Sequence, residues 1–185
     1  MKKDILAIVS AVLIIAVLIG GVEIQSVDEY YLTHIDDIKP DSATVFLSVR
    51  CDTVFSNYDK LDESLKSGDY LPSDGIILEK TEYVLREGDT VYDILSRVLR
   101  YNKIQMEYRG GNKNSIGVLY IAGINYLYEY SCGPLSGWMF QVNDEFPSCG
   151  CAEYTLSDGD VIEFVYSCDL GHDIGNSPEG GIGNE

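Results

Sequence analysis

The sequence is short of basic and metal-binding side chains. Its 185 residues contain 13 lysines and arginines against 30 aspartates and glutamates, which gives a formal net charge of −17, and only 2 histidines. A surface this acidic repels phosphate backbones, so nucleic acid is excluded as a partner. The excess of carboxylates is typical of a solvated surface outside the cell, and a divalent cation held by loop carboxylates is the alternative.

The motifs that identify common enzymes are also missing. The sequence contains no nucleophile elbow, phosphate-binding loop, metalloprotease helix or EF-hand loop. Zinc is disfavoured because Cys149 and Cys151 are too close in sequence for the usual ligand pair, and His34 and His172 fall in segments without a predicted strand or helix. Neither histidine is placed to activate a nucleophilic cysteine. We therefore expect a protein that is not an enzyme and that holds no metal or other cofactor.

One long apolar run stands at the N-terminus. Residues 5–22 contain a single polar side chain, Ser10, and approach the ~20 residues that span a bilayer. Lys2 and Lys3 precede this run, so the positive-inside rule places residues 1–4 in the cytoplasm. No A-x-A cleavage site follows. We expect an uncleaved signal anchor and a single-pass protein of the cell membrane with an extracellular C-terminal domain, or a secreted protein if the signal is cleaved.

The residues after the apolar run divide into a spacer, one domain and a tail. Residues 23–42 have no convincing apolar period and are interpreted as a juxtamembrane spacer. Residues 43–170 form one domain of ordinary size. Residues 171–185 are rich in glycine and are expected to be disordered.

The domain combines strand signals with one clear helix. The helix follows Glu87–Asp89, where Val91, Ile94, Leu95, Val98 and Leu99 recur at helical spacing and Thr90 with Asp93 resembles a capping box. Residues 52–75 are polar and turn-rich, and are predicted to be a long loop. Asn143-Asp144 is predicted to be a hairpin turn. Alternation of apolar and polar residues predicts strands at Val45–Cys51, Ile76–Leu85, Ile104–Tyr108, Val118–Ala122, Trp138–Val142 and Val161–Tyr166.

Aromatic side chains supply the candidate binding surface. The chain has 14 tyrosines, 5 phenylalanines and 1 tryptophan, so many of its rings keep a hydroxyl at the surface. Tyr126, Tyr128 and Tyr130 fall on alternate positions and are predicted to form a stripe on one face. Trp138 and Phe140 alternate in the strand that follows. We expect these five rings to contact a ligand, and packing in the core is the alternative for each of them.

Two blocks of sequence, taken together, resemble a known family. They are the turn and helix start EGDTVYDIL at 87–95, and the pair GWMFQVN at 137–143 and LSDGDVIEF at 156–164. They look like the transcobalamin-like C-terminal domain, and the likeness covers about residues 43–170. The resemblance implies an α+β fold of β-grasp type, in which one helix packs across a mixed sheet. Asn143-Asp144 departs from the Asn-Gly turn that is common in the family.

The resemblance also implies a function. In the carriers that give the family its name, this domain closes over cobalamin against a helical barrel domain, whereas its bacterial members are mostly uncharacterised exported or cell-surface proteins. No helical barrel pattern occurs in the 185 residues. Together with the predicted anchor, the resemblance implies a membrane-anchored extracellular binding module. It implies the fold more strongly than the ligand, for which a corrinoid is the candidate. The alternative is a structural or adhesion module of the cell envelope that binds a cell-surface protein or a wall polymer.

The five cysteines lie on the predicted outer side of the membrane, where disulfides form and persist. Two bridges and one thiol are the simplest arrangement. If the first and last strands run parallel side by side, as the resemblance implies, Cys51 and Cys168 fall at the same end of the sheet and pair. Cys132 then pairs with Cys151 or Cys149, and Cys149 is the expected odd thiol.

Carboxylates accompany the first of these bridges. Asp52 and Asp169 each follow one of its cysteines, so the same pairing gathers them at one end of the sheet. A calcium ion between them stays open as an alternative to solvated carboxylates.

Overall fold

A computed structural model of the chain describes residues 30, 34–66, 70–111 and 118–176. The predicted membrane segment, residues 5–22, lies outside the described residues, as do residues 1–4, half of the spacer and most of the tail. Within the described ranges no helix is long and apolar enough to cross a membrane. The anchor and its orientation therefore stay predictions.

Four strands form the main sheet. Their order is β2 (Ile76–Val84), β1 (Thr44–Arg50), β7 (Val161–Ser167) and β6 (Gly137–Val142). β1 and β7 run parallel, whereas β2 is antiparallel to β1 and β6 is antiparallel to β7. The predicted pairing of the first and last strands is confirmed.

Three shorter strands form a second, antiparallel sheet. It consists of β3 (Met106–Arg109), β4 (Tyr120–Ile124) and β5 (Leu127–Tyr128), in that order. β3 and β4 correspond to the two weaker strand predictions and begin two residues later than predicted. The described residues therefore form an α+β fold with two sheets and few helices.

The predicted loop at residues 52–75 is partly helical. It contains the 3₁₀ helix Asp52–Lys60 and a short helix α1 (Glu63–Lys66). Val54, Leu61 and Leu65 are buried in this segment and pack into a small core. The loop prediction is wrong here because Asn57 has non-helical dihedral angles (φ −125°, ψ 24°), which interrupts the helical period of the buried side chains.

Helix α2 (Val91–Tyr101) packs in the main core, as predicted. Its capping box is present, since the Asp93 N–H donates to Thr90 Oγ1 at 3.3 Å and the Thr90 N–H donates to the Asp93 carboxylate at 2.9 Å. Arg97 and Asp89 form a largely buried ion pair with a distance of 2.7 Å. Arg97 also donates a hydrogen bond to the Val84 carbonyl at the end of β2. The five apolar residues that predicted the helix are all buried: Val91, Ile94, Leu95, Val98 and Leu99.

Candidate functional site

A cleft, called here the β4–β6 cleft, lies between the edge of the main sheet and the second sheet. It has two lobes of about 570 and 280 Å³. Tyr120 and Ile121 of β4 and Trp138 and Met139 of β6 line both lobes. The larger lobe is also lined by Val118, Leu119, Phe140, residues 146–151, Glu153, Phe164 and Asn176. The smaller lobe is also lined by Glu129, Tyr130, residues 134–137, Ser167 and Leu170.

The free edge of β6 faces this cleft. β6 is an outer strand of the main sheet, paired on one side with β7. The Asn143 N–H donates to the Val161 carbonyl at 2.9 Å, and hydrogen-bonded pairs alternate along an antiparallel ladder. The backbone N–H and C=O groups of Trp138 and Phe140 therefore point away from β7, on the side of the cleft.

The side chains of Trp138 and Phe140 serve both the core and the cleft. The Trp138 ring lies edge-on to Tyr166, with centroids 5.3 Å apart, and its Nε1–H donates to the Leu127 carbonyl at 2.8 Å. The Phe140 ring stacks on Phe164 with centroids 5.7 Å apart. Both rings are half-buried and line the larger lobe. The structure thus brings these two predicted site residues together, each with one part in the core and one part in the cleft.

The three predicted tyrosines do not form a stripe. Tyr126 and Tyr130 have φ values of 65° and 67°, so they lie in turns on either side of the two-residue strand β5. Tyr126 packs against Tyr70, the Tyr128 hydroxyl accepts a bond from Gln105 at 3.0 Å, and Tyr130 lines the smaller lobe. The stripe prediction is wrong because alternate residues share a face only where the backbone is extended.

Sequence reasoning missed the wall of the cleft opposite β6. Val118 and Tyr120 are 56% and 43% exposed, although they belong to a predicted strand. Phe146 and Pro147 complete the larger lobe after the turn at residues 143–144. The only signal was the apolar run of residues 118–122, which indicated a strand but not which of its side chains stay exposed.

The cysteines occupy two places. Cys149 and Cys151 line the larger lobe, whereas Cys51, Cys132 and Cys168 belong to the small core. All five are free thiols in this structure. The Cys51–Cys168 bridge and the bridge from Cys132 to Cys151 or Cys149 stay predictions. In the β1–β7 register Arg50 lies opposite Val165, so Cys168 lies two residues beyond the position opposite Cys51.

The electrostatics of these thiols oppose nucleophilic chemistry. Burial raises the pKa of Cys51 and of Cys168 to about 12, and that of Cys151 to about 11. A nucleophilic cysteine needs a lowered pKa so that its thiolate is populated near neutral pH. These three thiols are therefore protonated at neutral pH and behave as small apolar side chains.

The carboxylates at the end of the main sheet are engaged with protein groups. Asp52 lies 2.7 Å from the Arg50 guanidinium. Asp173 accepts hydrogen bonds from the Ser167 hydroxyl at 2.5 Å and from the Cys168 N–H at 2.7 Å. Across the described residues, no three His, Cys, Asp or Glu side chains meet in a group that would hold a metal ion.

Part of this site matches the model of a known family. Residues 88–167, which include α2, β6 and β7, match the family described as a domain of unknown function, DUF4430. No curated protein matches the chain. Among solved structures, the chain is similar to haptocorrin in complex with Cbi, at 17% identity and a TM-score of 0.44 over 73% of this chain and 27% of that chain. It therefore spans about a quarter of the length of haptocorrin.

A second similar structure is a candidate metal binding protein from Ruminococcus gnavus ATCC 29149. The identity is 12% and the TM-score is 0.38, over 67% of this chain and 95% of that chain.

Proposed function

From the premise that residues 88–167 carry a transcobalamin-like C-terminal domain, a family of unknown function, we propose that this protein is a binding module that holds a corrinoid in the β4–β6 cleft. The module has a β-grasp-like fold, is not an enzyme, and lies outside the cell on the anchor of residues 5–22. Corrinoids are bound without covalent chemistry, so no catalytic group is required of the chain.

The observation that carries this proposal is the free edge of β6 in an apolar cleft. A corrinoid is a broad, flat ring whose rim bears amide groups. The outward N–H and C=O groups of Trp138 and Phe140 offer donors and acceptors for these amides, and Tyr120 and Met139 offer apolar surface for the ring. Largely apolar sites with a few placed polar groups are typical of ligand pockets, and the 570 Å³ of the larger lobe lies within their usual range of roughly 300–1,000 Å³.

The test is a titration of the full chain in detergent micelles with cyanocobalamin and with dicyanocobinamide. We expect saturable binding with a dissociation constant below about 1 mM, which corresponds to about 4 kcal/mol. Tyr120→Ala should weaken binding about fivefold or more, because it removes a ring shared by both lobes. Tyr58→Ala is the matched control, since Tyr58 is equally exposed at 43% and does not line the cleft.

A second candidate function is favoured by the same strand edge. The outward backbone groups of an outer strand also pair with an extended peptide, which adds as a further strand. On this alternative the protein is an adhesion or structural module of the cell envelope that binds a protein segment. A chain that does not bind either corrinoid up to about 1 mM, but captures an extended peptide with slowed amide exchange at Trp138 and Phe140, would support this alternative and contradict the first.

A further inference from the structure

Three cysteines from distant parts of the chain meet in the small core at the end of the main sheet. Cys51 and Cys132 are fully buried and Cys168 is 5% exposed. The thiols of Cys132 and Cys168 each act on the pKa of the other, so these two side chains are neighbours in the small core. The charged groups that act on Cys51 are instead Asp52 and Asp74. The three thiols therefore divide into a pair and a single thiol.

The 3₁₀ helix Asp52–Lys60 covers both thiols of the pair. Cys132 Sγ donates to the Asn57 carbonyl at 3.4 Å, and Cys168 Sγ donates to Thr53 Oγ1 at 3.9 Å. Asn57 Nδ2 in turn donates to the Thr53 carbonyl at 3.1 Å. The two sulfur atoms thus lie against one turn of the same helix, although their residues come from different parts of the chain.

The backbone of each cysteine in this pair is also held in place. The Cys132 N–H donates to the Ser136 hydroxyl at 3.0 Å, and the Cys168 N–H donates to the Asp173 carboxylate at 2.7 Å. The Ser136 hydroxyl also accepts a hydrogen bond from the hydroxyl of the buried Tyr166, at 2.9 Å. Fixed backbones with adjacent thiols are what a disulfide requires, because its geometry tolerates little displacement.

We propose that Cys132 and Cys168 are a cross-linking site that forms a disulfide, while Cys51 remains a buried thiol. The oxidant is an external disulfide, such as oxidised glutathione or a thiol-oxidising protein. When the 3₁₀ helix Asp52–Lys60 opens locally, the pair is exposed to solvent and can ionise. The thiolate of one cysteine then attacks the external disulfide and releases one external thiol, and the second cysteine displaces the other. Overall, one external S–S bond breaks, the Cys132–Cys168 bond forms, and both cysteine protons leave on the two external thiols. In the cell this step rests on the extracellular location proposed above, whereas the purified chain needs only the oxidant.

The bond would close the part of the chain that builds one wall of the cleft. The loop from 132 to 168 contains β6, the 146–153 segment and β7. A cross-link across this loop restricts the unfolded chain and so favours the folded state. It joins the turn between β5 and β6 to the residue after β7, and leaves the free edge of β6 open to a ligand.

The experiment is peptide mapping of the full chain, purified in detergent and equilibrated with reduced or oxidised glutathione. Free thiols are alkylated in denaturant before digestion. Residues 114–185 contain no lysine or arginine, so trypsin cannot separate Cys132, Cys149, Cys151 and Cys168, and chymotrypsin is used. After oxidation we expect a cross-linked peptide pair that joins Cys132 to Cys168, with Cys51 recovered in its alkylated form. A Cys51–Cys168 peptide, a Cys132–Cys151 or Cys132–Cys149 peptide, or full alkylation of both Cys132 and Cys168 would overturn the proposal.

Variants separate a specific bond from general effects of losing a thiol. Cys132→Ser and Cys168→Ser should each abolish the cross-linked peptide and the rise in urea midpoint that oxidation causes. Cys51→Ser should keep both, and it is the matched control because Cys51 is as deeply buried as Cys132. If Cys51→Ser abolishes the rise while Cys168→Ser keeps it, the proposed pairing is wrong. Formation of the bond in a protein that binds no corrinoid would leave this inference standing and contradict only the proposed function.

Discussion

The indole of Trp138 satisfies a carbonyl at the boundary between core and cleft. Its Nε1–H donates to the Leu127 carbonyl at 2.8 Å, at the start of the short strand β5. Trp138→Phe keeps a ring against Tyr166 but leaves this carbonyl without its donor. An unsatisfied buried acceptor costs about 1–3 kcal/mol, so we expect the free energy of unfolding to fall by about that amount in urea denaturation followed by circular dichroism. Phe55→Leu, at a ring that is 42% exposed, should change it by less than about 0.5 kcal/mol.

The thiol of Cys51 makes stability depend on alkaline pH. Burial raises its pKa from 9.0 to about 12, so the folded state holds the proton more tightly than the unfolded state. The contribution of the protonated Cys51 thiol to the free energy of unfolding is fully present below pH 9.0. It is lost as the pH rises toward 12, at about 1.4 kcal/mol per pH unit. Under reducing conditions, Cys51→Ala should therefore lose less stability than the wild-type chain above about pH 9.

The measurement for Cys51 is a series of urea denaturation curves at increasing pH. Below about pH 8 the wild-type chain and Cys51→Ala should show the same pH dependence, because the thiol is protonated in both folded and unfolded states. If the free energy of unfolding falls with pH equally steeply in the two proteins between about pH 9 and 11, the Cys51 thiol is not the origin of the pH dependence.

At the scale of an element, the turn after β6 combines a left-handed backbone with side-chain anchoring. Asn143 and Asp144 have φ values of 55° and 67°, and Val142 and Glu145 exchange backbone hydrogen bonds of 2.9 and 3.1 Å across them. Asn143 Oδ1 also accepts from the Val161 N–H at 2.9 Å. The predicted turn is confirmed, but the chain after it does not return as a strand until β7. The inserted segment supplies Phe146 and other residues of the larger lobe.

The same substitution should have opposite effects at the two positions of this turn. Asp144→Gly removes the strain of a side chain on a left-handed backbone. After the entropic cost of glycine is subtracted, we expect the free energy of unfolding to rise by about 0.5 kcal/mol. Asn143→Gly should instead destabilise by about 1 kcal/mol, because it removes the side-chain bonds to Val161 and Asp160. Thermal unfolding of both variants beside the wild-type chain checks this. If Asn143→Gly is stabilising instead, the left-handed backbone and not the side-chain hydrogen bonds of Asn143 determines the stability of the turn.

At the scale of the whole molecule, the charge of −17 opposes the compact state. Salt screens this repulsion, so we expect the melting temperature near pH 7 to rise as sodium chloride increases from about 10 to 150 mM. Near the isoelectric point, about pH 4.3, the net repulsion vanishes and the same salt increase should have little effect. A melting temperature that falls with salt at pH 7 would indicate that attractive pairs such as Arg50 with Glu163, 3.1 Å apart, outweigh the net charge.

The sequence by itself determined the elements whose cause is local. Helix α2 follows from its apolar period and the Thr90 capping box, and the principal strands follow from alternation of apolar and polar residues. The parallel pairing of β1 with β7 required the family resemblance as well, because strand order is not a local property. The helices within residues 52–66 could not be predicted in the same way, because Asn57 interrupts their helical period.

The tertiary structure alone decided which side chains meet. The β4–β6 cleft exists because β6, an outer strand of the main sheet, lies beside β4 of the second sheet, and the residue spacing within β4 or β6 does not predict that arrangement. Tyr126 and Tyr130 lie apart because left-handed residues turn the chain between them. Cys168 lies beside Cys132 and not Cys51 because the β1–β7 register carries it past the end of β1. Contacts between distant residues depend on strand order, register and turn geometry, all of which are set only when the sheets assemble.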